Sequence, residues 1–514
     1  MWSAIAQRSR RCEELQDPGL CFGRESFALA LHIRIPVMKF APIAAVAALL
    51  VTGCAHTVTL VHFSDYHSHA VPFYANGEGD AAGIARTVAY VEPLSRRGDV
   101  LVFNGGDTIN RGAPAFSDKY RCIEWPWWNG IVDAMAFGNH DADYGAAVFR
   151  DCAKSAACPI LSANVLDASG APVFAPGGRR YAVFERRGAR IGVFALAGDD
   201  FTQLLKPETS PADGVRFADR AETAREIIRE LREVEKVDAV VLIGHAHNHE
   251  DEALAKAVPG IDLVLGTHSH IVADLHRIDG TSTWMIASGQ YLEHLSRVEL
   301  HFRHGRLTGV TGEVVTMSAG MPEEAATKQK VAELQKELES DPAYAPLFVV
   351  AGRLDRELSI EAINERNAPL GEFVMELVRD AAGSAVAMST SSSFRAALPP
   401  GAVRETDLRD ALPYDNAILR YDAEGATLAA ILDRAISLRG TDSFLQLAGV
   451  SLAADGATSL VGGVAIDPAK RYPIATTDYL AKVSPYRDLF AGLAPIDTGK
   501  KVRSVVRESI AAKR

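Results

Sequence analysis

The sequence predicts an α/β protein with a layered N-terminal domain followed by a second, smaller unit. Three observations carry this. From Val58 to about Ser318, short apolar, β-branched runs end abruptly in polar clusters and are often followed by helical stretches, the alternation that builds layered α/β domains. The 514 residues suffice for two or three domains at roughly 100–200 residues each. A hydrophobic fraction of 48% with 23% charged residues is globular in character, not disordered or fibrous.

Composition also excludes whole classes of function. With 54 Lys and Arg against 65 Asp and Glu, the formal net charge is −11. Nucleic-acid polymers recruit clustered basic residues, so they are excluded as partners. Six cysteines in a chain of this length do not make a small disulfide scaffold.

Taken in order, the first apolar run is Phe40 to Val51, too short for the roughly 20 apolar residues of a bilayer-spanning helix. It follows Met38-Lys39 and ends in Leu50-Val51-Thr52-Gly53-Cys54, which gives it the size and flanks of a signal-peptide core. Segment 38–53 resembles a bacterial lipoprotein signal. That resemblance implies cleavage before Cys54, a lipid on its thiol, and an exported, membrane-anchored chain in the cell envelope that faces the periplasm. The competing reading is an ordinary secretory signal with an incidental cysteine. Residues 1–37 hold Arg10, Arg11, Glu13 and Glu14 and are expected to be a non-native upstream extension, with translation starting at Met38. Setting aside Cys12, Cys21 and Cys54 leaves Cys122, Cys152 and Cys158, hence one disulfide and one spare thiol in an oxidising compartment. Cys152 and Cys158 flank a short loop, and Cys122 is an equal candidate partner. Their spacing is not that of metal ligands, so they read as structural.

Buried strands are predicted at Val58–Phe63, Val100–Phe103, Ala134–Phe137, Ile191–Leu196, Ala239–Ile243, Leu263–Leu265 and Trp284–Ala287, with an amphipathic helix over Ala221–Val234. Met321–Ser340 is charged, free of Gly, and has its one Pro at the start. It predicts a helix too polar for a core, a linker within 319–348 between a domain over 58–318 and a C-terminal domain over 349–514. In the latter, a helix is predicted near Leu370–Ala382 and strands near Ala417–Tyr421 and Tyr472–Ala475.

The chemistry lies in the polar clusters at the strand ends. They read Asp65-Tyr66-His67, Gly105-Gly106-Asp107, Gly138-Asn139-His140-Asp141, Gly244-His245-Ala246-His247 and Gly266-Thr267-His268-Ser269-His270. Asp, Asn and His are the oxygen and imidazole ligands of Zn, Mn or Fe, not of Ca, and the carboxyl ends of strands are where α/β sheets gather ligands. The glycines ahead of the ligands are expected to let the backbone turn sharply. Singly, each cluster is an ordinary turn; five in a fixed order are not. His247 and His249 have no strand-end setting and are expected to be solvated.

This order of motifs resembles the calcineurin-like metallophosphoesterases over Val58–Gln290. The chain as a whole resembles the bacterial periplasmic 5'-nucleotidase and UDP-sugar hydrolase family. The resemblance implies a four-layer α/β/β/α sandwich with a second, α+β, substrate-binding domain. It implies two divalent metal ions (Zn, Mn or Fe), one held by Asp65, His67 and His270, the other by Asn139, His245 and His268, with Asp107 bridging. His140 is then the catalytic histidine and Asp143 the carboxylate that orients it. Two metals about 3.5–4 Å apart clamp an in-line displacement at phosphorus and turn bound water into hydroxide near pH 7. A protonated His140 would meet the charge that develops on the phosphate. The uncharged amide of Asn139 leaves such a site net positive.

The same resemblance extends to the C-terminal unit. Ala368-Pro369-Leu370-Gly371, with Arg366 just upstream, matches the family's domain-opening motif. Ser391-Ser392-Ser393-Phe394-Arg395 stands where the family has a glycine-rich segment ending in Arg. Pro413-Tyr414-Asp415-Asn416 and Thr477-Asp478-Tyr479-Leu480-Ala481 match the segments that carry two stacking rings. This implies a base held between Tyr414 and Tyr479 and read by Asn416, with Arg366 and Arg395 around ribose and phosphate. Val483-Ser484-Pro485-Tyr486 departs from the family, which carries a ribose-holding aspartate there; that contact is expected to be lost or rebuilt. The resulting expectation is a monomeric metal-dependent hydrolase that removes phosphate from nucleotides, lipid-anchored at Cys54. One alternative is the same site acting on a 2',3'-cyclic nucleotide, a UDP-sugar or a non-nucleotide ester. Another is a lipid-anchored binding protein without turnover.

Overall fold

The computed structural model describes residues 55–111, 116–167, 169–172, 179–205, 215–452 and 459–512. The segment 38–53, Cys54 and residues 1–37 lie outside the described residues. No helix among the described residues is long and apolar enough to cross a membrane.

Two six-stranded sheets stand face to face in the N-terminal domain. The first runs Arg306–Thr316, His294–Arg303, His56–Phe63, Val100–Asn104, Ala134–Ala136, Ile160–Leu161, its last four strands parallel. The second runs Val272–Arg277, Trp284–Ser288, Leu263–Gly266, Ala239–His245, Ala189–Ala197, Tyr181–Arg186, with four parallel strands between antiparallel edges. Every strand read from the sequence is present, its ends shifted by at most three residues, close to the usual uncertainty of boundaries.

Side-chain alternation with period two separates the layers. Val58, Leu60, Leu101 and Phe103 of the first sheet pack against Val193, Ala195, Val241 and Ile243 of the second. The intervening residues face outward. Val61, Phe63, Val100 and Val102 lie beneath the helices Ile84–Ser95, Ala146–Ala153 and Ala325–Ser340. Phe194, Leu196, Val240 and Leu242 lie beneath Arg220–Glu233 and Asn248–Ala257. The result is the expected four-layer α/β/β/α arrangement. Each fully buried Val, Leu, Ile or Phe contributes about 1.5–3 kcal/mol, so the strand ends project from a stiff base.

The helix expected to be a polar linker differs from expectation. It starts at Ala325, after Glu324 accepts hydrogen bonds from the backbone N–H groups of Ala326 and Thr327. It also buries Val331, Leu334 and Leu338 in the core beneath the first sheet. The apolar positions are few but fall on one face, and Tyr120 Oη donates to the carbonyl of Leu334 at 2.9 Å. The helix is therefore docked on the N-terminal domain.

The C-terminal domain is a five-stranded sheet ordered Leu445–Ala448, Val386–Thr390, Arg471–Thr477, Ala417–Glu424, Ile496–Lys501. Helices Pro369–Ala382 and Val502–Ala511 cover one face, and Gly425–Ser437 the other. Pro369 starts the first of these helices, where no N–H is needed. Gly383 ends it in the left-handed conformation at φ 59°.

The disulfide joins Cys122 to Cys152, and Cys158 is free, its thiol pushed up to about 12 by burial. The bond ties the segment between the short helices Phe116–Tyr120 and Trp125–Trp128 to the helix that follows His140. The two cysteines are separated by 30 residues, and a closed loop of that size is worth about 3.7 kcal/mol in the chain-entropy view. Replacing both Cys122 and Cys152 by Ser should lower the urea-unfolding free energy by about that amount. An unchanged midpoint would show that the bond does not constrain the unfolded chain.

Candidate active site

The parallel strands of both sheets end on one rim. Asp65 follows His56–Phe63, Asp107 follows Val100–Asn104, and Asn139 and His140 follow Ala134–Ala136. From the facing sheet come Asp200 after Ala189–Ala197, His245 at the end of its strand, and His268 and His270 after Leu263–Gly266.

The turns at this rim are made differently from the sequence expectation. Of the glycines ahead of the ligands, Gly106 takes positive φ, at 94°. The candidate ligands themselves are left-handed: Asp65 at 52°, His67 at 46°, Asp107 at 52°, His268 at 61° and His270 at 59°. This region costs an L-residue about 1–2 kcal/mol, and such strain concentrates where a site dictates geometry. Gly105 and Gly138 serve by lacking a side chain. A Cβ at Gly105 would overlap the Ser64 hydroxyl and the Thr267 methyl, and one at Gly138 would overlap the Asp107 carboxylate.

Backbone hydrogen bonds lock the turns together: Asp65 N to Gly106 O at 3.1 Å and His67 N to Asp107 O at 2.9 Å. Asp141, to which the sequence reading gave no role, is the main brace. Its Oδ2 accepts from Gly138 N at 2.9 Å and Asp107 N at 3.1 Å, and its Oδ1 from Thr108 N at 2.8 Å and Ile109 N at 3.2 Å.

Two groups of side chains meet at Asp107. Asp65, His67, Asp107 and His270 bring ligand atoms within 4.8 Å of one another, as do Asp107, His245 and His268. His67 Nε2 faces His270 Nε2 at 3.1 Å. Burial pushes His67 well below the ordinary imidazole range; burial and then the Arg395 guanidinium take His270 down to about 4. Between two neutral rings this close, one Nε2–H donates to the other's lone pair; both nitrogens would turn to ligands where a metal replaces that proton. His245 Nε2 is 3.3 Å from Asp107 Oδ2, while its Nδ1 meets Gly105 O at 2.7 Å, which leaves Nε2 to face the cluster. The buried atoms Asp65 Oδ1, Asn139 Oδ1 and His245 Nε2 have no hydrogen-bond partner. Unpaired buried acceptors are costly, and a set of Asp, Asn and His acceptors around one point fits divalent metals.

His140 stands beside this cluster. Its backbone N–H donates to Asp107 Oδ1 at 2.8 Å and its ring Nδ1 meets Asp143 Oδ2 at 2.9 Å. Asp143 Oδ2 also accepts from Arg111 N at 3.0 Å. Burial opposes the charge on His140, but the carboxylates of Asp143 and Asp107 hold its pKa well above the ordinary value. The ring itself lines the cleft.

A second network was missed in the sequence. His268 Nε2 meets Asp200 Oδ2 at 3.0 Å, His247 Nε2 lies 3.5 Å from the same oxygen, and His247 Nδ1 is 3.1 Å from Asp442 Oδ2 in the C-terminal domain. His247 is thus not solvated, contrary to expectation; the second domain covers it. His249 is exposed as expected. Asp200 had a readable signal, since Gly198-Asp199-Asp200 follows a predicted strand just as the ligand clusters do.

Between the domains lies a cleft of about 330 Å³. Asp107, Asn139, His140 and His268 form one wall, and Arg395, Tyr414, Asn416 and Tyr479 the other. Ser392, Ser393, Asp442 and Val483 also line it, as do Asp143 and Asp200. Arg366 does not reach the cleft: it is exposed and its guanidinium lies 3.5 Å from Glu361, which corrects its placement near the phosphate. Tyr486 is buried, its hydroxyl donating to Ser443 O at 2.9 Å. Where the family aspartate is missing, the cleft still holds a carboxylate, Asp442, brought in by a loop whose carbonyl accepts from Ser392 N at 2.9 Å.

Two family models match the chain: calcineurin-like phosphoesterase over residues 58–272, and 5'-nucleotidase C-terminal domain over residues 349–484. Protein UshA of Yersinia enterocolitica is 25% identical over 482 residues, covering 83% of this chain and 85% of its own. The 5'-nucleotidase of Vibrio vulnificus is 25% identical over 512 residues, covering 87% and 90%. Among solved structures, a 5'-nucleotidase precursor from Thermus thermophilus superposes with a TM-score of 0.69 at 23% identity, over 89% of this chain and 96% of that one. The sulfate thiohydrolase SoxB of Thermus thermophilus does so with 0.67 at 21% identity, over 88% and 94%. Those two likenesses concern the fold alone, and a fold shared by two chemistries does not select a substrate.

If Asp107 depends on the space left by Gly138, Gly138→Ala should weaken divalent-metal binding by at least about tenfold, the scale seen when a supporting contact of a metal ligand is lost. Equilibrium dialysis of the folded variant against Mn or Zn measures this. Wild-type affinity would show that Asp107 relaxes without cost.

Proposed function

Because this chain belongs to the family that joins a calcineurin-like metallophosphoesterase domain to a 5'-nucleotidase C-terminal domain, and is a hydrolase, we propose that it removes phosphate from nucleotides at a dinuclear site. The observation that carries this reading is the cleft itself, in which a base-sized wall of Tyr414, Asn416 and Tyr479 faces Asp107, Asn139 and His268.

Asp65, His67 and His270 would hold one divalent ion and Asn139, His245 and His268 the other, with Asp107 shared. When bound, such ions would supply positive charge at the phosphoryl group and lower the pKa of water. His140, kept protonated by Asp143 and Asp107, donates toward the phosphoryl oxygens as negative charge grows there. Asp143 acts through His140 by fixing its ring and tautomer. Asp200 accepts the proton of His268 Nε2 and leaves Nδ1 free to bind. Arg395, within the cleft, meets the phosphate side of the substrate, and Tyr414 and Tyr479 stack on the base. The lipoprotein-type signal supports an envelope protein anchored at Cys54 and facing the periplasm. The missing aspartate at 483–486 favours one second reading, in which the same site serves a phosphoester with a different organic part.

Asp107→Asn should abolish turnover while the fold persists, because both metal sets lose their shared charge. Tyr479→Ala should raise KM about 5- to 150-fold, the equivalent of 1–3 kcal/mol of base stacking, and change kcat little. Phosphate release from nucleoside 5'-monophosphates, UDP-glucose, 2',3'-cyclic AMP and bis(p-nitrophenyl) phosphate, with defined metal, measures both. Cleavage of the artificial diester alone would overturn the nucleotide reading, and unchanged Tyr479→Ala kinetics would remove its stacking role.

A further inference from the structure

A second cavity, of about 110 Å³, opens beside the metal cluster on the side of His67 and His270. Its volume equals three or four waters at about 30 Å³ each, enough for one tetrahedral oxyanion. Arg111, Arg395, Arg409 and Arg503 line it together with three histidines of the rim, and no carboxylate does. The cleft described above is the opposite, lined by Asp107, Asp143, Asp200 and Asp442. Arg395 and Tyr414 border both spaces.

The two inner arginines are poorly neutralised. Arg409 Nε is buried without a hydrogen-bond partner, and among the described residues no carboxylate forms an ion pair with Arg409. Arg503 is largely buried and reaches Asp415 only at 4.0 Å, while Asp415 is closer to Lys501 at 3.2 Å. Nearby Glu405 is paired with Arg507 at 2.5 Å, and Asp410 faces His69 at 3.7 Å. Burial, and after it the charge of Arg409, pull the Arg503 guanidinium below its ordinary range. Like charges converge on an enclosed space where Asp415, at the limit of ion-pair distance from Arg503, is a weak counter-ion, and such a space favours an anion.

We propose that this pocket is a second oxyanion subsite, in which Arg409 and Arg503 bind a phosphate or sulfate-like group other than the one attacked. The inference rests on the reading that hydrolysis occurs at the adjoining metal cluster. The anion has two possible sources: a further phosphate on the substrate molecule, or a free oxyanion such as released phosphate.

The test uses metal-loaded enzyme and the variants Arg409→Gln, Arg503→Gln and their double, with Arg503→Lys as the charge-retaining control. Two measurements are made. The first compares KM for adenosine 5'-monophosphate with that for adenosine 5'-diphosphate and adenosine 3',5'-bisphosphate. The second is inhibition of p-nitrophenyl phosphate hydrolysis by sulfate. If the anion belongs to the substrate, wild type should favour one of the doubly phosphorylated nucleotides by about tenfold in KM, and the double variant should lose that preference. If it is free, sulfate should inhibit wild type at least tenfold more strongly than the double variant, without any nucleotide preference. Arg503→Lys should lie between. Variants that change neither the KM ratio nor sulfate inhibition overturn the subsite. Failure to hydrolyse any nucleotide while p-nitrophenyl phosphate is cleaved overturns the nucleotide reading alone, and the sulfate comparison still decides the pocket.

Discussion

The placement of one carboxylate, Asp107, is the constraint on which the rest of the site depends. It is common to two of the three groups of candidate ligands, and cations held close together repel strongly unless a negative group lies between them. The fold spends several otherwise unusual features on this residue. Its backbone is left-handed, its N–H is tied to Asp141, and a glycine at 138 leaves room for its side chain. Asp141 in turn can accept four backbone N–H groups only because the turns after two neighbouring strands, Val100–Asn104 and Ala134–Ala136, run side by side. The geometry of the candidate ligand cluster is thus a direct consequence of parallel strand pairing.

The second constraint is the domain boundary. The metal-facing wall belongs to a rigid double-sheet core, whereas the aromatic wall belongs to a separate sheet with its own cores. Contacts across the cleft are polar: His247 with Asp442, and Gln290 Nε2 and the His270 ring with Arg395. Polar contacts of this kind position the walls without the large apolar seam that would fix them permanently. Through Asp200, the His247 contact also connects the C-terminal domain to His268, so the two walls are not chemically independent.

Much of this was legible in the sequence. The strands announced themselves as apolar β-branched runs, and the ligand clusters fell directly after them, because sheet topology brings strand ends to one rim. What was not legible depends on the third dimension. His247 looked solvated because the group that buries it, Asp442, lies almost two hundred residues away and in another domain. Arg409 and Arg503 meet only because the helix Val502–Ala511 packs against the helix Glu405–Ala411. Arg366 occupies a recognisable motif, yet motif position does not fix side-chain direction, and the structure turns it to solvent beside Glu361. The helix Ala325–Ser340 was misread because three buried apolar residues on one face suffice for docking, even in a charged sequence. The disulfide was open between alternatives that sequence spacing does not distinguish.

The left-handed backbone of Asp65, His67, Asp107, His268 and His270 has an evolutionary corollary. These are positions where glycine would fold with the least strain, and where aspartate and histidine persist only while their side chains are needed. A descendant released from selection for the chemistry gains stability by drifting at these positions before it drifts in the sheet core, where substitutions are costly. Glycine or asparagine at several of the five, in a relative whose core is otherwise intact, would then mark a lineage that has kept the scaffold and abandoned the reaction.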